Sequence, residues 1–308
     1  MPDGMNVLER DFYEGRRRKW RRSAFWRGFL VAAVLALLIG GWAGSSALEA
    51  ARTQIARYEV SGIITDDPER DELLDELAES PQVKAVVVRI NSPGGTTAGS
   101  EALYASLREI AAKKPLVAQL GEVAASGGYV AAIAADHIVG RGNTLTGSIG
   151  VIMEYPDLTG VMQRLGIGLE TVRSSELKAE PSPFRPTNPE ARAREEALVA
   201  ESYRWFRGLV GGRRGLDGPA LDAVANGGVF TGRLALENGL IDEIGGEPEA
   251  IAWLESRDEG LADLPVRDWE VERERPLAGR ILGQIAPSGG ILGEISRWTS
   301  PMLYSIGP

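Results

Sequence analysis

There is no cysteine in the 308 residues. That absence removes disulfides, thiolate metal sites and a cysteine nucleophile together. Histidine is reduced to one residue, His137. A metal site built from two or three imidazoles is therefore excluded. A Ser-His-Asp triad would have to use His137 or not exist. Lysine is scarce too: Lys19, Lys84, Lys113, Lys114 and Lys178 are the whole set. No glycine pair is followed by Lys-Ser/Thr and there is no GxGxxG, so no phosphate loop or dinucleotide fingerprint is present. Positive charge is thin after the first 27 residues. Those hold eight Arg/Lys against four Asp/Glu, which leaves −13 of the net −9 on the remainder. So acidic a remainder is a poor match to nucleic acid. What is present is ordinary for a folded chain: 44% hydrophobic and 25% charged residues. The length suits one large domain or two smaller ones.

The chain opens on a basic run, Arg16 to Arg22, followed by an uncharged stretch from Gly28 to Leu48. That stretch has the length needed to cross a bilayer. Residues 1–27 are expected in the cytoplasm, 28–48 as one transmembrane helix, and everything after residue 48 outside a bacterial-type cytoplasmic membrane. Trp26 and Trp42 sit near the two ends, as interfacial aromatics do. A cleaved signal peptide is the competing reading, because Ala43 to Ala47 is rich in small residues. The apolar run exceeds a usual signal-peptide core, which favours an anchor. A buried core helix would not explain the adjoining basic cluster.

After a polar link over 49–57, strand-like and helix-like segments alternate. Tyr58–Ile64 reads as a strand, Pro68–Ser80 as an amphipathic helix, and Val83–Ile90 as a buried parallel strand around Ala85-Val-Val-Val. Thr97–Ala112 follows as helix, Leu116–Leu120 as strand, Tyr129–Ala135 as helix and His137–Gly140 as a short strand. Gly150–Met153 and Leu169–Arg173 look like further strands around a helix at Leu158–Leu165. A proline-rich break at Pro181–Pro189 precedes a long helix over 188–211 and short helices at Asp217–Asn226 and Thr231–Asn238. This order predicts an α/β fold, a mostly parallel sheet with helices on its faces. Ligands in such folds bind at the carboxyl ends of strands, and two glycine-rich turns lie there, after Ile90 and after Leu120. Residues 255–308 carry no motif beyond two similar pentads, Ile281–Ile285 and Ile291–Ile295.

The chemistry centres on Gly121-Glu-Val-Ala-Ala-Ser-Gly-Gly-Tyr129. Ser126 falls at a strand-to-helix turn among Gly and Ala, where a substrate backbone can come close and helix N–H groups are free. A tight turn whose serine only caps a helix would show the same residues. Asn91-Ser-Pro-Gly-Gly95 also follows a strand. Its glycines could present N–H groups to a developing oxyanion, or form an ordinary type II turn. Lys178 lies between Glu176 and Glu180. A serine needs a base, and burial can bring a lysine into range by disfavouring its charged form. A solvated surface lysine is the plainer alternative, and the two acids argue for it unless they point away. Thr146-Gly-Ser-Ile-Gly150 is a third small-residue turn, in which Ser148 either orients the lysine or simply makes the turn. His137 reads as a packed or edge histidine.

Taken in order, Asn91–Gly95, Ala125–Tyr129, Thr146–Val151, Lys178, Val229–Arg233 and Gly239–Asp242 resemble the signal peptide peptidase A family of membrane-anchored serine proteases, in its short single-unit form. The resemblance covers roughly Tyr58 to Leu254. It implies a Clp/crotonase-like fold over 58–254 and a Ser/Lys dyad with Ser126 as nucleophile and Lys178 as general base. It implies Ser148 as the serine that orients the lysine, and Gly94 or Gly95 with Gly127 at the oxyanion hole. It implies a homo-oligomer at the membrane that degrades hydrophobic peptides such as cleaved signal peptides, with no cofactor and no metal. Two other classes share the fold: an acyl-CoA enzyme of the crotonase type and a non-catalytic scaffold. Neither explains a Ser/Lys pair.

Overall fold

The computed structural model describes residues 53–271. The basic N-terminus, the expected anchor at 28–48 and the two pentads lie outside the described residues. Among the described residues no helix is long and apolar enough to cross a membrane.

Strand β1 (Gln54–Ile64) runs into helix α1 (Pro68–Glu79), β2 (Val83–Gly95), α2 (Thr97–Lys113), β3 (Leu116–Ala125) and α3 (Gly127–Ala132). Short strands β4 (His137–Gly140) and β5 (Leu145–Gly147) follow, then an arm that carries only α4 (Thr159–Leu165). The long α5 (Pro189–Arg214), α6 (Gly218–Val224), β6 (Val229–Thr231), α7 (Gly232–Glu237), β7 (Glu243–Ile244), α8 (Glu247–Arg257) and β8 (Val266–Trp269) complete the fold. The strands lie in the order β6-β5-β3-β2-β1-β8, with β4 pairing β3 and β7. Every pairing is parallel except β5 with β6.

The β-branched runs explain the centre of this sheet. Ala85, Val86, Val87 and Val88 are all fully buried, because strand residues alternate between two covered faces. Val86, Val88 and Ile90 join Leu103, Leu107 and Tyr129 under α2 and α3. Ala85, Val87 and Val117 join Ala250 and Leu254 of α8 on the other face. Each such valine contributes about 1.5–3 kcal/mol by leaving water. Caps set the helix starts: Asp67 accepts from Arg70 N–H ahead of α1, and Asn188 accepts from Glu190 N–H ahead of α5.

β8 pairs with β1, and Arg57 on β1 clasps Asp268 on β8 at 2.6 and 3.0 Å. The sheet's edge strand therefore lies within 255–308, where the sequence offers no motif. Two expected strands need correction. Residues 150–153 and 169–173 are irregular, with Ile152 at 80% and Val172 at 104% exposure. Their apolar content suits a strand, but a strand needs a sheet edge to pair with, and they pair with none among the described residues.

Candidate active site

The site is made where β3 changes partners. Val117–Leu120 pairs with β4, and Val123–Ala125 pairs with β5. Between them the register against β2 is irregular. Asn91 Oδ1 accepts the Glu122 and Val123 N–H groups at 3.1 and 3.2 Å, which satisfies two amides at the irregular step. Thr144 and Thr146 donate from their hydroxyls to the Gly121 and Ala124 carbonyls at 2.7 and 2.6 Å. The end of β3 is thus held on both sides just before Ser126.

Ser126 takes φ 52° and ψ −120°, a region that side-chain-bearing residues seldom enter. Holding it there costs on the order of 1–3 kcal/mol. The surroundings impose it: Ser126 N–H donates to Gly147 O at 2.8 Å, while its carbonyl accepts from Tyr129 and Val130 N–H to start α3. Its side chain makes no capping bond and no other hydrogen bond among the described residues. The hydroxyl is therefore free, and capping does not explain it. Ser148 stands beside it in register, one residue past Gly147 on β5, and shares φ 52°. Ser148 N–H donates to Gly228 O at 2.7 Å.

The glycines close the other side. Gly94 has φ +118°, and a Cβ there would stand 2.9 Å from Ser126 Cβ. A Cβ on Gly127 would meet Ser100 Oγ at 2.2 Å and Gly95 N at 3.1 Å. Gly94, Gly95, Gly127, Ser126 and Ser148 are thus brought together. Gly94 N–H is already given to Ser92 Oγ at 3.1 Å. That leaves Gly127, whose N–H has no acceptor within its own helix, and Gly95 as the better donors for an oxyanion. The role of Ser92 was not read from the sequence. It is fully buried, donates to Gly62 O at 2.6 Å and pins the glycine turn. Its place inside the Asn91–Gly95 motif was the available signal.

Tyr129 locks α3 from beneath. It is fully buried, burial pushes its phenol above the ordinary range, and its hydroxyl donates to Leu240 O at 2.8 Å. Tyr129→Phe leaves that carbonyl buried without its donor. A loss of about 1–3 kcal/mol is expected in urea denaturation, and an unchanged midpoint would show that the bond is not holding α3.

Lys178 is not joined to this group. It is exposed on the arm, and its side chain has no hydrogen bond or ion pair among the described residues. The acids beside it do point elsewhere. Arg173 takes Glu176 at 2.9 Å and Glu180 at 2.5 Å, and Arg185 takes Glu180 at 2.7 Å. The Arg173 hydrogen bond above all holds the Glu180 carboxyl below its ordinary value. His137 is remote. It pairs with Val117 at the start of β3, whereas Ser126 follows its end. Eight strand residues separate these levels, roughly 25 Å. His137 instead stacks on Trp253 at 4.8 Å and meets Glu243 at 3.2 Å. Among the described residues no cluster of three His, Cys, Asp or Glu side chains is placed to hold a metal.

A wide cleft of about 1380 Å³ opens next to Ser148, between the start of the arm and α5. Ile149, Ile152, Met153, Val199 and Tyr203 are among its walls. The Gly227 N–H bond to Ile149 O, 3.0 Å, ties its floor to the Ser148 turn.

Comparison with known proteins gives the family. The profile of peptidase family S49 matches residues 108–261, half of the chain, including Ser126, Ser148 and Lys178. A Synechocystis sp. protein named as a candidate protease is 35% identical over 234 residues, 75% of this chain and 84% of its own. A candidate signal peptide peptidase SppA of Enterococcus faecium is 31% identical over 238 residues, 72% of this chain and 68% of its own. Protease 4 of Haemophilus influenzae is 33% identical over 231 residues, and the match spans only 37% of that longer protein. Among solved structures, a mutant of the 1510-N membrane-bound stomatin-specific protease matches 71% of this chain and 99% of its own, at 15% identity and a TM-score of 0.43.

Proposed function

The chain belongs to the signal peptide peptidase A family, peptidase family S49, and on that footing we propose that it is a membrane-anchored serine endopeptidase working through Ser126 and Lys178. The observation that carries the proposal is the Ser126 turn: a strained backbone, a free hydroxyl and glycines packed against it. We read the sheet as Clp/crotonase-like.

In this reading Ser126 Oγ attacks the scissile carbonyl and its proton passes to the neutral Lys178 amine. The carbonyl oxygen becomes an oxyanion and takes hydrogen bonds from Gly127 and Gly95 N–H. Lys178 returns the proton to the leaving amine, and water then hydrolyses the acyl-enzyme by the same route. Ser148 orients the lysine. A solvated ammonium cannot accept a proton, so the arm must bury Lys178 when the site is complete. The arm is suited to being buried. Ile152, Val161, Leu165 and Val172 are more than half exposed, and α4 has no buried residue. Such a concentration of apolar side chains fits packing against a further copy of the chain. We propose a homo-oligomer on that ground.

The substrates proposed are hydrophobic peptides, such as cleaved signal peptides, entering by the cleft beside Ser148. Residues 28–48 would hold the domain on the outer face of the membrane. The test is selectivity in the purified, membrane-solubilised protein. Unfolded apolar peptides should be cut steadily and a folded globular protein left intact. Rapid degradation of the folded protein would contradict an enclosed site.

A further inference from the structure

The arm from 151 to 188 has almost no hydrophobic anchorage of its own: within it only Ser182 is buried. Yet the side chain of Glu180 is withdrawn from water, at 3% exposure. Arg173 and Arg185 both reach its Oε1, from seven residues before and five after. Arg173 also takes Glu176, and Arg185 Nη1 donates to Thr171 Oγ1 at 2.9 Å. These contacts draw residues 171, 173, 176, 180 and 185 into one node. Lys178 sits on the loop so closed, between Glu176 and Glu180. Its backbone N–H bonds Ser175 O at 3.2 Å, and the next residue, Ala179, is turned through a left-handed φ of 60°.

The node is poorly suited to stabilising the arm. Glu180 Oε2 and Arg185 Nε are buried without a hydrogen-bond partner among the described residues. A buried ion pair satisfied this incompletely gives little net stability, and its better-attested use is to select one arrangement over others. Where no apolar core shapes a loop, a charged knot can. We propose that Glu180, clamped by Arg173 and Arg185, is a positioning residue that presents the Lys178 amine in one direction. This rests on the reading of Lys178 as the general base. It applies whichever copy's Ser126 the lysine serves, because the clamp lies wholly within the loop that carries it.

The test compares Lys178→Ala, Glu180→Ala and Glu180→Gln in the full-length protein, with kcat and KM on an apolar peptide and the melting temperature of each. A base misplaced by about an ångström loses on the order of 10²-fold in rate. Glu180→Ala should therefore lose about that factor in kcat, with KM within about twofold and melting unchanged. Glu180→Gln keeps an oxygen for the arginines and should fall between Glu180→Ala and the wild type. Wild-type kcat in Glu180→Ala overturns the clamp while leaving the dyad standing, provided Lys178→Ala is dead. Loss in both Glu180 variants that follows a lowered melting temperature or a raised KM makes the node merely structural and overturns it too. An active Lys178→Ala sinks the base itself and the clamp with it.

Discussion

Ser126→Ala is expected to lose at least about 10⁴-fold in peptide hydrolysis, because in the proposed mechanism it removes the nucleophile and with it the covalent route. Its fold should be untouched. The hydroxyl makes no hydrogen bond among the described residues, and alanine at φ 52° is no more strained than serine. Substitutions that break no contact stay within about 0.5 kcal/mol. The measurement is kcat/KM on an apolar peptide beside a denaturation curve. Activity within tenfold of wild type would remove Ser126 from the mechanism. A large loss of stability would mean that the hydroxyl has a structural partner outside residues 53–271.

Lys178→Ala is expected to be as inactive as Ser126→Ala, and the double variant no worse than either, since members of the proposed dyad would act as one unit. His137→Ala should keep most of the activity. His137 lies roughly 25 Å from Ser126 by strand register and spends its ring on Trp253 and Glu243. The informative comparison is thus between the chain's single histidine and the one lysine that follows the Ser148 turn. A dead His137→Ala beside an active Lys178→Ala would replace the dyad with a histidine mechanism.

How much of this was legible in the sequence depended on length and chemistry together. β2 and β3 are readable because apolar runs buried on both faces, Ala85-Val-Val-Val and Leu116–Leu120, need no partner to announce themselves. The structure starts β1 earlier, at Gln54 within the expected link, and extends β2 and β3 at their carboxyl ends, where Asn91–Gly95 and Gly121–Ala125 continue as strand. Those extensions are the site itself. β5, β6 and β7 were missed, being two or three residues long with no measurable period. Thr146-Gly-Ser reads as a turn, although its first two residues are strand; the positive φ falls at Gly147 and Ser148. That misreading hid the pairing that sets Ser148 beside Ser126. Helix α8 went unread despite Pro248 at its start and a Glu249 side chain that accepts from Gly246 N–H at 2.6 Å. The strands expected at 150–153 and 169–173 failed for the opposite reason. Their residues favour strand, but pairing is a tertiary property. Lys178 could be picked out by its place after the Ser148 turn. A role as base could not be read from its surroundings, because Lys178 is exposed on an arm that faces water.

The most direct measurement is covalent. The purified full-length protein, in mild detergent, is treated with a fluorophosphonate, which reacts only with an activated serine, and digested for mass spectrometry. One adduct is expected, on Ser126, absent from Ser126→Ala and sharply slowed in Lys178→Ala. An adduct on another serine, or steady cleavage of apolar peptides by protein that takes up no label, would contradict it.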